Sequence, residues 1–159
     1  MKVVVNGSLV EYQVSGKGPV IVLLHGWGDS MSTFKEISNT LKTKYMVVAL
    51  DLPGFGSSEP PKETFDLEKY ARFVSSFLRK TDLRHVYAFI GHSNGGAIAI
   101  RGLSSGILKS EKLVLLASSG VRSESQGRRK LLRLAVKTAK IPTKLLPKHT
   151  QERIKKQVY

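Results

Sequence analysis

Four apolar runs punctuate the first 120 residues. Val20–Leu24 reads VIVLL, and Tyr45–Leu50, Val86–Ile90 and Leu113–Leu116 are of the same kind. Short runs without polar alternation read as strands buried on both faces. Upstream, Lys2–Val5 and Leu9–Val14 flank Asn6-Gly7, the favoured dipeptide of a tight β-hairpin. Between the runs, apolar residues recur at helical spacing. Phe34, Ile37 and Leu41 mark a short helix, with Asp29 a candidate initiating residue. Leu67, Tyr70, Ala71, Val74, Phe77 and Leu78 mark a longer one, with Asp66 placed to cap it. Gly96–Ile100 opens a third. The alternation predicts an α/β fold: a mostly parallel sheet with an N-terminal antiparallel hairpin and helices on both faces. In such sheets ligands bind outside the carboxyl ends of the strands. Three polar or glycine-rich loops fall there: His25-Gly26-Trp27-Gly28, Asp51-Leu52-Pro53-Gly54-Phe55-Gly56 and Gly91-His92-Ser93-Asn94-Gly95.

The third loop carries the chemistry. It spells G-x-S-x-G between a predicted strand and a predicted helix. A serine on so sharp a turn is held in a strained backbone conformation, with its hydroxyl pushed out at the top of the sheet. Gly91 and Gly95 let the two arms approach without a Cβ clash. Ser93 is therefore the candidate nucleophile.

Composition bounds the rest. The 159 residues suffice for one domain with a core, and 41% hydrophobic with 24% charged residues is ordinary for a globular protein. There is no cysteine, which excludes disulfides and thiolate metal sites. No apolar run approaches the roughly 20 residues of a membrane span, and the start breaks off too soon for a secretory signal. A cytoplasmic location is the expectation. The net charge of +14 is uneven: residues 121–159 hold 12 Lys or Arg against 2 Asp or Glu. Within that tail Arg128–Lys140 reads as an amphipathic helix, with Leu131, Leu132, Ala135 and Ala139 opposite Lys130, Arg133, Lys137 and Lys140.

Taken together, the His25–Gly28 loop, the Asp51–Gly56 loop and the Gly91–Gly96 elbow resemble the α/β-hydrolase fold family in order and spacing. The resemblance covers residues 1–120 as the N-terminal part of the core, and 121–159 as the start of a basic helical cap. It implies that Ser93 attacks an acyl carbonyl. It also implies that the backbone N–H groups of Asn94 and Trp27 form the oxyanion hole. Serine rather than aspartate at this position argues against dehalogenase and epoxide hydrolase chemistry. Esterase, lipase-like, peptidase and carbon–carbon bond hydrolase chemistry stay open. A small acyl substrate is expected as partner, with no cofactor and no metal.

The family order is Ser, then Asp or Glu, then His. After Ser93 come only Glu111, Glu124, Glu152 and His149, each with an ordinary structural or surface reading. His25 is expected to be structural, His85 solvated, His92 turned from the chemistry and Asp51 a loop brace. The acid and histidine are thus expected beyond Tyr159, as in a chain cut before its last two strands or completed by a missing C-terminal half. Leu113–Leu116 would then be an unprotected edge strand. The rival reading is a non-catalytic module whose basic tail binds an anionic membrane surface or nucleic acid. Tyr159 is the tail's one aromatic, so base stacking is poorly served and nucleic acid is not the expected partner.

Overall fold

In the computed structural model, residues 1–83 and 85–120 are described. The expected cap segment 121–159, with Arg128–Lys140, Glu124, His149 and Glu152, lies outside the described residues.

The apolar runs become strands: β1 Lys2–Val5, β2 Ser8–Ser15, β3 Val20–Leu24, β4 Met46–Leu50, β5 Val86–His92 and β6 Lys112–Leu116. They form one sheet in the order β1-β2-β4-β3-β5-β6. The hairpin pairs β1 and β2 in antiparallel register, Val5 opposite Ser8. Its turn has positive φ at both central residues, 51° at Asn6 and 81° at Gly7, the twist that suits a two-residue hairpin loop. β2 joins β4 antiparallel, while β3, β4, β5 and β6 run parallel. The mixed sheet expected from the sequence is therefore present. Among the described residues β6 pairs with β5 alone, and its Val114 is 43% exposed.

Alternate side chains of the central strands go to opposite faces, as the pleat requires. Val22, Leu24, Val48, Leu50 and Phe89 pack with Ala71, Phe73, Val74, Phe77, Ile98 and Ala99. Those partners come from α2, Leu67–Lys80, and α3, Asn94–Ser104. Ile21, Leu23, Val47, Ala49, Ala88 and Ile90 pack with Phe34 and, more loosely, Met31, Ile37 and Leu41. This second layer is a 3-10 turn, Met31–Phe34, running into α1, Lys35–Leu41. Burying side chains such as Phe77 or Leu23 is worth about 1.5–3 kcal/mol each. Helix α2 starts where expected: the Asp66 carboxylate accepts the Lys69 N–H at 2.8 Å.

The topology places the site. From β3 the chain crosses to β4 on one side. From β5 it crosses to β6 on the other. The reversal falls between β3 and β5, which are neighbours with Leu24 opposite Gly91. A crevice at such a switch point is where open α/β sheets bind ligands.

Candidate active site

Ser93 sits between β5 and α3 with φ 48° and ψ −114°. A positive φ costs a side-chain-bearing residue roughly 1–2 kcal/mol and persists only where the surroundings enforce it. The enforcement comes from the end of β6 and the turn that follows it. The Ser93 N–H donates to the Leu116 carbonyl at 3.0 Å, and the Ser93 carbonyl accepts the Ser119 N–H at 3.0 Å. It also accepts the Gly96 N–H at 3.1 Å, which closes the turn into α3. Both backbone groups of the elbow residue are thereby held from outside the elbow. The holding segment is itself bent, with φ 45° at Ala117.

The two elbow glycines serve different approaches. A Cβ on Gly91 would lie 2.5 Å from the backbone N and Cα of Gly96, so the arms of the turn could not close. A Cβ on Gly95 would overlap the Leu24 carbonyl, so α3 could not approach the end of β3.

Over this elbow passes the loop that follows β3. A Cβ on Gly26 would stand 3.3 Å from the Ser93 Cβ and 3.2 Å from His92 Nδ1. The glycine lets bare backbone lie beside the serine. Trp27 follows, 79% exposed, its ring edge-on to Phe55 at 6.0 Å. The backbone N–H groups of Trp27 and Asn94 have no acceptor among the described residues. Asn94 opens α3, where a helix leaves N–H groups unpaired by construction and offers partial positive charge.

His25 fixes this loop to its neighbour. It is fully buried, and burial pushes its pKa below the ordinary histidine value. The neutral ring then donates from Nδ1 to the Gly26 carbonyl at 2.7 Å and accepts the Leu52 N–H on Nε2 at 2.9 Å. The role is structural, as the sequence implied. Asp51 is likewise a brace: buried, its carboxylate accepts the Met31 N–H at 2.7 Å and the Ser57 N–H at 2.8 Å. Its own carbonyl accepts the Ser58 hydroxyl at 2.7 Å.

Two expectations are revised. The 3-10 turn is capped by Ser30, whose hydroxyl accepts the Ser32 N–H, and not by Asp29. Asp29 precedes the cap and accepts the Thr33 hydroxyl at 2.6 Å and the Ser30 N–H at 2.8 Å. The Thr33 bond foremost holds the Asp29 carboxyl below the usual carboxylate range. The strand before the elbow is longer than its apolar run, because Gly91 and His92 continue its pairing with β6 as far as Leu116.

The serine hydroxyl itself meets one side chain among the described residues: Ser119 Oγ, at 3.5 Å. No histidine or carboxylate there bonds to it. His85 lies at the surface, and Glu111 precedes β6 with its N–H on the Tyr87 carbonyl. Nothing in the sequence marks Ser119. A Ser-Ser-Gly stretch after a strand reads as an ordinary turn, and its contact with the elbow depends on strand order. Among the described residues no three His, Asp or Glu side chains gather as a metal site would need, and no helix is long and apolar enough to cross a membrane.

Several known proteins are similar to this chain. Hydrolase YugF of Bacillus subtilis is 34% identical over 125 residues, which is 76% of this chain and 44% of its own. The 2-hydroxy-6-oxo-6-(2'-aminophenyl)hexa-2,4-dienoic acid hydrolase of Metapseudomonas resinovorans is 31% identical over 125 residues, 74% of this chain and 42% of its own. Among solved structures, a bacterial membrane phospholipase A superposes with a TM-score of 0.73 at 30% identity, over 78% of this chain and 41% of that one. The chain thus spans less than half the length of these relatives. Residues 19–125 match the family described as the alpha/beta hydrolase fold, a span that takes in all three loops and the elbow. With its fold, its strand-order switch point and its strained serine in agreement, the chain belongs to the α/β-hydrolase fold family.

Proposed function

We propose that this chain supplies the nucleophile and oxyanion hole of a serine hydrolase acting on carboxylic esters or related acyl compounds. The observation that carries the reading is the enforced conformation of Ser93, φ 48° with both backbone groups held by the segment 116–119. Strain of this kind is maintained where a side chain must project into a crevice.

In the proposed reaction Ser93 Oγ attacks the acyl carbonyl and its proton passes to a base. The carbonyl oxygen takes up the negative charge, and the N–H groups of Trp27 and Asn94 receive it. Each such donor is worth about 3–4 kcal/mol of barrier where it meets the developing charge. Collapse of the tetrahedral intermediate expels the leaving group with a proton and leaves an acyl-serine, which water then hydrolyses. The base and its orienting acid are assigned to residues outside the described ones. Without them the serine keeps only the part of catalysis due to the oxyanion hole and binding.

The test is acyl trapping. The chain is incubated with excess p-nitrophenyl acetate and weighed by mass spectrometry. The reading expects one acetyl group on Ser93, added slowly and retained because deacylation also needs the base, and none in Ser93→Ala. Acetylation spread over surface lysines and serines with Ser93 untouched would contradict it.

A further inference from the structure

His92 precedes the serine, and its ring is not accounted for by the chemistry above. The ring is about a third exposed, yet its Nδ1 atom is buried and has no hydrogen-bond partner among the described residues. A buried ring nitrogen with no partner carries an unmet desolvation cost. Facing it at 3.9 Å is the Asp29 Oδ2. That carboxylate is already anchored by the Thr33 hydroxyl and the Ser30 N–H. A Cβ on Gly26 would stand 3.2 Å from the same Nδ1, so the bare backbone of Gly26 lets the loop pack closely on the ring. A bare lone pair on Nδ1 opposite a carboxylate would be repulsive. A proton on Nδ1 turns the same geometry into attraction.

We propose that His92 is a positioning residue: a proton on its Nδ1, directed at Asp29, holds the Gly26–Asp29 loop down over Ser93. The latch ties the end of β5 to the loop after β3, the loop that also carries Trp27. Its strength follows the charge of the ring. Protonated, His92 forms an ion pair with Asp29 and the loop is held. Neutral, it retains only a weak polar contact and the loop loosens. Two other titratable groups bear on the ring. Asp29 stays ionised because its hydrogen bonds lower its pKa. His25, on which Asp51 also acts, stays neutral through burial. The catalytic meaning of the latch rests on the nucleophile reading of Ser93; its existence does not.

Trp27 is the only tryptophan in the 159 residues and sits inside the latched loop, so its fluorescence reports the loop directly. Acrylamide quenching of the full chain is followed from about pH 5 to 8, the range in which histidine changes charge. The expected result is a single step, with quenching at least 1.5-fold stronger on the alkaline side. The step is lost in His92→Gln and in Asp29→Asn and kept in His85→Gln. A step that survives His92→Gln, or none in the wild-type chain, overturns the proposal. Should His92→Gln fail to fold by circular dichroism, Asp29→Asn, which keeps the side chain's shape, decides alone. Acyl trapping that fails while the step is present removes the nucleophile reading and leaves the latch. A missing step with intact trapping does the reverse.

Discussion

The Ser119 N–H donates to the Ser93 carbonyl at 3.0 Å, so the turn after β6 holds the elbow residue from across a strand boundary. Ser119→Pro removes that N–H and leaves a partly buried carbonyl with one partner fewer. The carbonyl keeps the Gly96 N–H, so a loss of about 0.5–1.5 kcal/mol, the net worth of one hydrogen bond, is expected. Ser119→Ala keeps the backbone bond and should stay within about 0.5 kcal/mol of wild type. Urea denaturation of the two variants checks the difference. Equal midpoints would mean that the clamp does not support the elbow.

Release of the strain itself is predicted to be stabilising. Ser93→Gly removes the Cβ that resists φ 48° and should raise stability by about 1 kcal/mol, less what glycine loses through its freer unfolded chain. Thermal unfolding measures it. A destabilised Ser93→Gly would indicate that the hydroxyl contributes more to the fold than its backbone costs.

At Gly95 the expectation is the opposite. A methyl group there meets the Leu24 carbonyl, a backbone atom that cannot swing aside. Gly95→Ala should cost about 1–3 kcal/mol or more, as overpacking does in a closed core. Soluble yield and melting temperature test it, and a wild-type melting temperature would show that α3 can shift away from β3.

Acid should weaken the fold through His25. Its folded pKa lies below the ordinary value of 6.5, so the unfolded chain binds the proton first. This contribution is complete above about pH 6.5 and is lost as pH falls toward the lowered folded value. Asp29, also depressed, contributes stability above its ordinary value of 3.8 that is lost only at lower pH. In Asp29→Asn, which lacks the opposing His92 latch, urea midpoints should therefore begin to fall below about pH 6.5, well before carboxylates titrate. A midpoint flat down to pH 4.5 would contradict a buried neutral His25.

Much of this was legible from residue order. The runs VIVLL and YMVVAL name their strands because a strand buried on both faces needs no alternation. Asn6-Gly7 and Asp66 are local devices whose partners lie within a few residues. The expected loop roles of His25 and Asp51 also match their hydrogen bonds. What was not legible depends on strand order. That Leu116 and Ser119 grip Ser93 follows from β6 lying beside β5, and nothing in Ala117-Ser118-Ser119 signals it. Residue type alone makes Asp29 a candidate to initiate the helix, yet Ser30 holds the cap position, and the Asp29 carboxylate bonds Thr33 and Ser30 and faces His92. Residue order alone places Gly91 and His92 in the turn, although β6 supplies enough pairing to keep them extended.

The central claim, that Ser93 is a nucleophile set in place whose base lies outside the described residues, is tested most directly with a fluorophosphonate probe and mapping of the adduct. The account predicts that the chain is labelled at Ser93 alone and slowly, and that Ser93→Ala takes no label. Rapid stoichiometric labelling at Ser93 that persists in His149→Gln would reveal a base among the described residues and contradict the account, as would labelling at other serines with Ser93 left bare.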